Sequence, residues 1–395
     1  MRRPETLRIA VLLTAVVAFG PISTDLYLPS LPGIARHFGT NAAAAQATLS
    51  VFLLGFAGGQ IVYGPLSDRY GRRPVLVAGI AIYLAATMAC VIAESIDALI
   101  GARFFQAIGA CSGVVLARAI VRDIYPPERA GSVLAYMGSA MAVAPMIGPV
   151  IGGQLEINFG WRANFMFLMA FAAVILLAVV GVLDETNKRL DPMALAPRRM
   201  LANFREMLTS RRYVGCMAAA TFCYSGLFAF ISASSFVLID VVGLAPDAFG
   251  MSFAVMVMGY MLGAVSAGRL IQRLGLDRTM LTGAILAGIG GPLMALLAIY
   301  AMEDVTAIMI VIPMMFYAAG VGLVMPATTA AAIGPYPEKA GAASSLLGFI
   351  QMCIAAAAGA TVAHILDGTA RPMAIAIAVC GLATLAAILM LRRRG

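Results

Sequence analysis

The chain is 395 residues long, 62% hydrophobic and only 12% charged. Soluble domains carry about 25% charged residues, so a soluble protein of this size is excluded, and a polytopic α-helical membrane protein is the class that remains. The net charge of +8 does not point to nucleic acid, because the basic residues stand in short clusters between apolar runs, as in loops retained in the cytoplasm.

A closed outer-membrane barrel would show short segments alternating apolar and polar residues, and no such alternation is present. The start, Met1-Arg2-Arg3 followed by Ile9–Gly20, imitates a secretory signal, but the apolar run continues to Leu31 and reads as a retained first span. Roughly 20 apolar residues at about 1.5 Å each cross a bilayer core. The run ends in Ser23-Thr24-Asp25-Leu26-Tyr27-Leu28-Pro29. An aspartate there costs on the order of 2.5–3.5 kcal/mol on insertion scales, so it faces protein or water and is a functional candidate. A carboxyl at the outer interface, capping a helix that stops before Pro29, is the other reading of the same residues.

Further runs of spanning length fall at 46–64, 75–93, 98–119, 131–153 and 164–183. After a polar stretch they resume at 213–238, 249–271, 280–300, 305–327, 342–363 and 372–391, about twelve spans in all. Sorted by alternate loops, about 23 of the 27 Lys and Arg fall on one side; the other holds Arg36, Arg162 and Arg371, with Arg103 inside a helix. Both termini are therefore expected in the cytoplasm. Cys90, Cys111, Cys216, Cys223, Cys353 and Cys380 all lie in apolar runs, and none stands at metal-ligand spacing with His37 or His364. They are expected as small buried hydrophobes, with no metal centre.

The one long polar connector divides the chain into a six-helix bundle (1–183), a cytoplasmic linker (184–212), and a second six-helix bundle with a short basic tail (213–395). A surface helix within 199–208 is expected, with Met200, Leu201, Phe204 and Leu208 on one face. The halves repeat. Gly64-Pro-Leu-Ser-Asp-Arg69-Tyr-Gly71 after the second helix is echoed by Gly268-Arg-Leu-Ile-Gln-Arg273-Leu-Gly275 after the eighth. Tyr125-Pro-Pro-Glu128-Arg129-Ala130-Gly131 before the fifth is echoed by Tyr336-Pro-Glu338-Lys339-Ala340-Gly341 before the eleventh. A six-helix unit duplicated in parallel, with sites near the midplane between the copies, is an alternating-access architecture.

Three stretches carry chemistry. In Gly64-Pro65-Leu66-Ser67-Asp68-Arg69-Tyr70-Gly71-Arg72-Arg73 the glycines permit a tight turn, and Asp68 with three arginines makes a compact charged hinge. In Ala102-Arg103-Phe104-Phe105-Gln106-Ala107, Arg103 lies about 7 Å below the outer end of the fourth helix at 1.5 Å per residue. It either snorkels to the interface or works inside. In Ala144-Pro145-Met146-Ile147-Gly148-Pro149-Val150-Ile151-Gly152-Gly153, small residues allow close packing and two prolines bend the fifth helix.

The first of these closely resembles the loop signature of the major facilitator superfamily. The resemblance implies an all-α membrane protein with the major facilitator fold, twelve transmembrane helices in two pseudo-symmetric bundles. It implies a conformational latch of Gly64, Asp68, Arg69, Gly71, Arg72, Arg73 and Asp123, with Arg72 paired to Asp123 and Asp68 facing the start of the eleventh helix. The Arg103-Phe-Phe-Gln stretch resembles the superfamily's fourth-helix pattern, whose arginine is assigned to proton coupling. Pro145, Gly148, Pro149, Gly152 and Gly153 resemble the antiporter signature of drug exporters, with Ala144 where glycine often stands. With Asp25-Leu-Tyr-Leu-Pro29-Ser-Leu-Pro32 the chain is similar, over essentially its whole length, to the Bcr/CflA subfamily of drug–proton antiporters.

The implied function is proton-coupled efflux of small amphipathic drugs, in a bicyclomycin, chloramphenicol and sulfonamide-like range, across the bacterial inner membrane. The expected protein is a monomer in the lipid bilayer, with no cofactor and the proton gradient as energy source. A carboxyl near its solution pKa of about 3.9 stays ionised at neutral pH, so proton cycling at Asp25 needs surroundings that disfavour the carboxylate. Asp25 and Arg103 are the proton-coupling candidates. Tyr27, Phe105, Tyr136, Met141, Phe228, Phe230, Met256, Tyr260, Phe316 and Gln351 are candidates for lining the cavity, since aromatic and Met side chains suit varied ligands. The same residue types also pack or face lipid. Export of one metabolite, such as a nucleoside or amino acid, is the alternative. An enzyme would need clustered His, Asp or Ser, and an ATP-driven pump a Walker loop; neither is present in the sequence.

Overall fold

Without water in the bilayer core, every backbone N–H and C=O has to be satisfied within the chain, and helix is the local solution for each apolar run. The computed structural model describes residues 4–187, 190–301, 304–336 and 339–393. Its first span is broken into α1 (Pro4–Val17), α2 (Phe19–Asp25), a 3-10 turn (Leu28–Ser30) and α3 (Leu31–His37). Pro21, Pro29 and Pro32 have no N–H to return to the carbonyls of Val17, Asp25 and Leu28 four residues earlier, which sets the breaks. The apolar run ends near Leu31, but the helical path continues to His37 and turns at Gly39.

Five helices complete the N-terminal set: α4 (Ala42–Tyr70), α5 (Arg72–Val91), α6 (Ile96–Ile124), α7 (Pro127–Phe159) and α8 (Arg162–Val182). The connector carries α9 (Pro197–Thr209). The C-terminal set is α10 (Arg211–Ser235, prolonged by a wider π turn over Phe236–Val241), α11 (Pro246–Leu274), α12 (Leu276–Tyr300), α13 (Ala307–Ile333), α14 (Ala340–Ile365) and α15 (Arg371–Arg393). Among the described residues, eleven of these paths are long and apolar enough to cross a membrane, counting the broken span once. The 33-residue α7 is the twelfth.

Helix ends are set by side chains where the sequence supplies them. Asn41, Ser95 and Ser210 accept from the N–H groups of Ala44, Ala98 and Tyr213 at 2.9, 3.2 and 3.3 Å. Gly71 and Gly275 end α4 and α11 with φ of +101° and +80°, the left-handed region that favours glycine. They occupy equivalent places in the repeated loop. Gly64 does not make a turn: α4 runs through it to Tyr70, with Pro65 inside the helix.

Helices in lipid associate by close packing rather than by the hydrophobic effect. In the N-terminal set α6 packs on α4 and α5, and α8 on α5; in the C-terminal set α12 lies against α13 and α15, and α10 against α13, α14 and α15. The sets meet along two seams, α4 with α14 and α7 with α11. In α9 the expected apolar face is split. Met207 is buried and Met200 and Phe204 are half-buried, whereas Leu201 and Leu208 are 66% and 47% exposed. At about 100° per residue the first three form one stripe and the two leucines its flank.

Candidate functional site

The break in the first span sets a carboxyl inside the helix pack. Asp25 ends α2 and is 4% exposed, and the chain continues past it through Ser30 into α3. α2 does stop before Pro29, but the helical path resumes and runs to His37, so Asp25 lies within the span rather than capping its end. Thr24 Oγ1 donates to Asp25 Oδ1 at 3.2 Å. Gly148 of α7 leaves room for it, since a Cβ on Gly148 would already stand 3.4 Å from that of Asp25. From the C-terminal set, Tyr224 of α10 lies within electrostatic range of Asp25 and of Tyr260 on α11. Among the described residues no cationic side chain forms an ion pair with Asp25.

Arg103 is not paired with Asp25 either. It is fully buried on α6, so it does not snorkel. Its Nη1 donates to Gln106 Oε1 at 2.5 Å, and Gln106 Nε2 donates to Thr87 Oγ1 at 2.8 Å. The guanidinium carbon lies 4.4 Å from the ring centre of Tyr27, 4.3 Å from that of Phe52 and 5.8 Å from that of Phe165. A desolvated cation over such faces gains about 2 kcal/mol or more. A hydroxyl pair with Thr48 at 2.8 Å holds the Tyr27 ring of this cage, and Ser23 of the first span pairs with Tyr83 of α5 at 2.7 Å. Arg103 Nε and Nη2 make no hydrogen bond among the described residues. Phe52, Phe165 and Tyr224 are site neighbours that sequence reasoning missed, because an aromatic in an apolar run carries no mark separating it from ordinary packing.

The cavity candidates scatter. Tyr27 belongs to the arginine cage. Phe105 is 58% exposed on the face of α6 turned away from Arg103, because residues two apart on a helix lie on nearly opposite sides. Phe316 is 43% exposed on α13, on the side of the helix that also carries the exposed Ile308 and Ile312. It does not join the buried candidates. Phe228 packs against Gly359 of α14, and the Phe230 ring is 6.1 Å from Phe253. Met256 and Gln351 are buried, and Met141 and Tyr260 are half-buried. The Tyr136 side chain lies outside the described residues.

In the charged loop, Arg72 bonds three partners: Asp68 at 2.6 Å, Asp123 through Nε at 3.0 Å, and Ser67 Oγ at 2.5 Å. Asp68 thus finds its ion pair within its own loop. The connector closes over that loop. Glu185 accepts from the N–H groups of Arg72 and Arg73 at 2.9 and 3.1 Å, capping α5, and Thr186 donates to Asp123 at 3.2 Å. Arg73 Nη2 donates to the Val180 carbonyl at 2.9 Å, and Arg69 lies over the Tyr70 ring. A Cβ on Gly71 would collide with the Glu185 carboxylate, whereas one on Gly64 would meet nothing within 4 Å.

The small residues of α7 serve two seams. A Cβ on Gly152 would overlap the Leu26 carbonyl of the first span, and one on Gly153 would overlap the Pro246 carbonyl of α11. Pro149 and Val150 in turn abut Gly250 of α11. Beyond this, at the end opposite the connector, Arg36 pairs with Asp240 at 3.2 Å across the sets. Ser30 donates to Glu156 and accepts from Asn164 at 2.8 Å within the N-terminal set.

Comparison with known proteins places this geometry. The chain is 27% identical to multidrug resistance protein D of Escherichia coli, over 89% of this chain and 87% of that protein. It is equally identical to a bicyclomycin resistance protein homolog of Haemophilus influenzae, over 91% and 90%. A D-xylose–proton symporter superposes with a TM-score of 0.81 at 14% identity, covering 98% of this chain and 97% of that one, so the likeness is one of fold. Residues 11–360 match the Major Facilitator Superfamily. Twelve spans in two sets, a repeated charged loop and that match together establish that the chain belongs to the Major Facilitator Superfamily of membrane transporters.

Proposed function

We propose that the protein is a drug–proton antiporter of the Bcr/CflA type, exporting small amphipathic compounds by alternating access. Its relatives carry drug-resistance names over nearly their whole length, which supports the substrate class. The observation that carries proton coupling is Asp25, a buried carboxyl with no cationic partner among the described residues, within electrostatic range of Tyr224 of the C-terminal set. A buried carboxyl is stable only when neutral or paired. It takes a proton from outside, releases its ligand, and gives up the proton when a compound enters from inside. Arg103, held apart by its aromatic cage, supplies a fixed positive field rather than a counter-ion.

The two six-helix sets rock about the α4–α14 and α7–α11 seams, with the Arg72 cluster as the latch of the N-terminal set. The connector and both termini face the cytoplasm of a bacterial cell, and the protein works as a monomer in the inner membrane with no cofactor. Drug susceptibility of a pump-deficient host, with and without a protonophore, tests the reading. Resistance to several unrelated compounds that disappears with the proton gradient is expected; a phenotype confined to one metabolite overturns it.

A further inference from the structure

We infer that α9 is a leaflet-binding helix whose Arg198 and Arg205 hold phosphate groups of anionic phospholipids while Leu201 and Leu208 insert beneath them. Residues seven apart share a helix face, so α9 presents three adjoining stripes. Met200, Phe204 and Met207 turn to protein, Met207 completely buried where α9 touches α10 and α14. Leu201 and Leu208 form the next stripe, exposed although apolar. Arg198 and Arg205 form the one after it, exposed and with no ion pair among the described residues. The carboxylate of α9, Glu206, lies on the other flank and bonds Lys339, the residue before α14, at 2.5 Å. Only Ser210 separates α9 from the spanning helix α10.

This geometry chooses the occupant. A 13-residue helix docked at the ends of two spanning helices lies at bilayer-surface depth. An apolar stripe beside the docked face, followed outward by a cationic one, matches the order of acyl chain and phosphate met on leaving the membrane. Water would leave the leucines unpaid, and a zwitterionic leaflet would leave the arginines unmatched. Because Glu206 ties α9 to the start of α14, leaflet attachment also bears on a helix of the α4–α14 seam. The inference does not depend on which compound is transported.

The full-length protein in nanodiscs tests it. The chain has a single tryptophan, Trp161, beside His37 at the opposite end. In a Trp161→Phe background, the indole introduced by Leu201→Trp is expected to be quenched by lipids brominated on their acyl chains and shielded from aqueous acrylamide. Phosphatidylglycerol is expected to bind in preference to phosphatidylcholine by about fivefold per arginine. That preference should be lost in Arg198→Gln/Arg205→Gln and in wild type at about 1 M salt, where screening acts within roughly 3 Å. Acrylamide quenching without bromolipid quenching overturns the inference, as does a preference that salt leaves unchanged in wild type.

Discussion

Asp25 and Arg103 are buried in the same set of helices yet never meet, and their substitutions should separate. Asp25→Asn keeps the size and the Thr24 contact but cannot ionise. Proton-driven export by reconstituted vesicles should fall more than tenfold, with thermal stability retained or raised, since a costly buried acid is gone. Unimpaired export by this variant removes Asp25 from the coupling role. Arg103→Lys keeps the charge but loses the planar group lying 4.3 Å from the Phe52 ring centre. Lysine is also more strongly hydrated, so about 2 kcal/mol of stability and most transport should be lost together. A lysine variant as stable as wild type would mean that the cage does not recognise the guanidinium. Part of this scale was legible beforehand. That Arg103 and Phe105 lie on nearly opposite faces follows from spacing alone. That Phe52 and Phe165, from α4 and α8, would close on Arg103 depends on how helices cross, which no local pattern states.

At the scale of elements, the glycines of the two singled-out motifs have different work. On α7, Gly152 lets the Leu26 carbonyl of the broken first span lie against the helix backbone. The obstacle to a side chain there is main chain, which cannot rotate aside. Gly152→Ala should therefore cost at least the 1–3 kcal/mol typical of overpacking, with α7 pushed off Asp25. Gly64 sits in mid-helix facing open space, so Gly64→Ala should be neutral or stabilising by up to about 1 kcal/mol. Melting curves of the two purified variants check the contrast, and equal effects would contradict it. Helix number and rough limits could be read from apolar run length, because the bilayer fixes that length. Of the glycines in the charged loop, Gly71 makes the turn the sequence permits and Gly64 does not, because glycine permits a turn without requiring one. Gly71, at the end of α4, is where the chain reverses, and Glu185 caps the next helix from more than a hundred residues away. The breaks at Pro21 and Pro29 answer to the missing N–H but not to residue type alone, since α4, α7, α12 and α13 run through prolines unbroken.

At the scale of the whole molecule, alternating access requires contacts between the sets that are strong enough to close one end and weak enough to release. At the end taken as outer, Arg36 and Asp240 supply such a contact. Both side chains are well exposed, and exposed pairs contribute about 0.2–1 kcal/mol. Since 1.4 kcal/mol is tenfold in a population ratio, breaking the pair can shift the closed-to-open balance at that end by no more than about fivefold. That suits a gate: a pair worth several kcal/mol would hold one state against any ligand. Asp240→Asn should move the distribution of distances between spin labels on α3 and on the π turn toward longer values, within that limit. The swap Arg36→Asp/Asp240→Arg should restore it, and raised salt should erase the difference between wild type and Asp240→Asn, because the pair lies in water. A distribution unchanged by Asp240→Asn at low salt would assign closure at that end to packing between the sets, including the glycine seam of α7 and α11, where backbone contact is insensitive to salt.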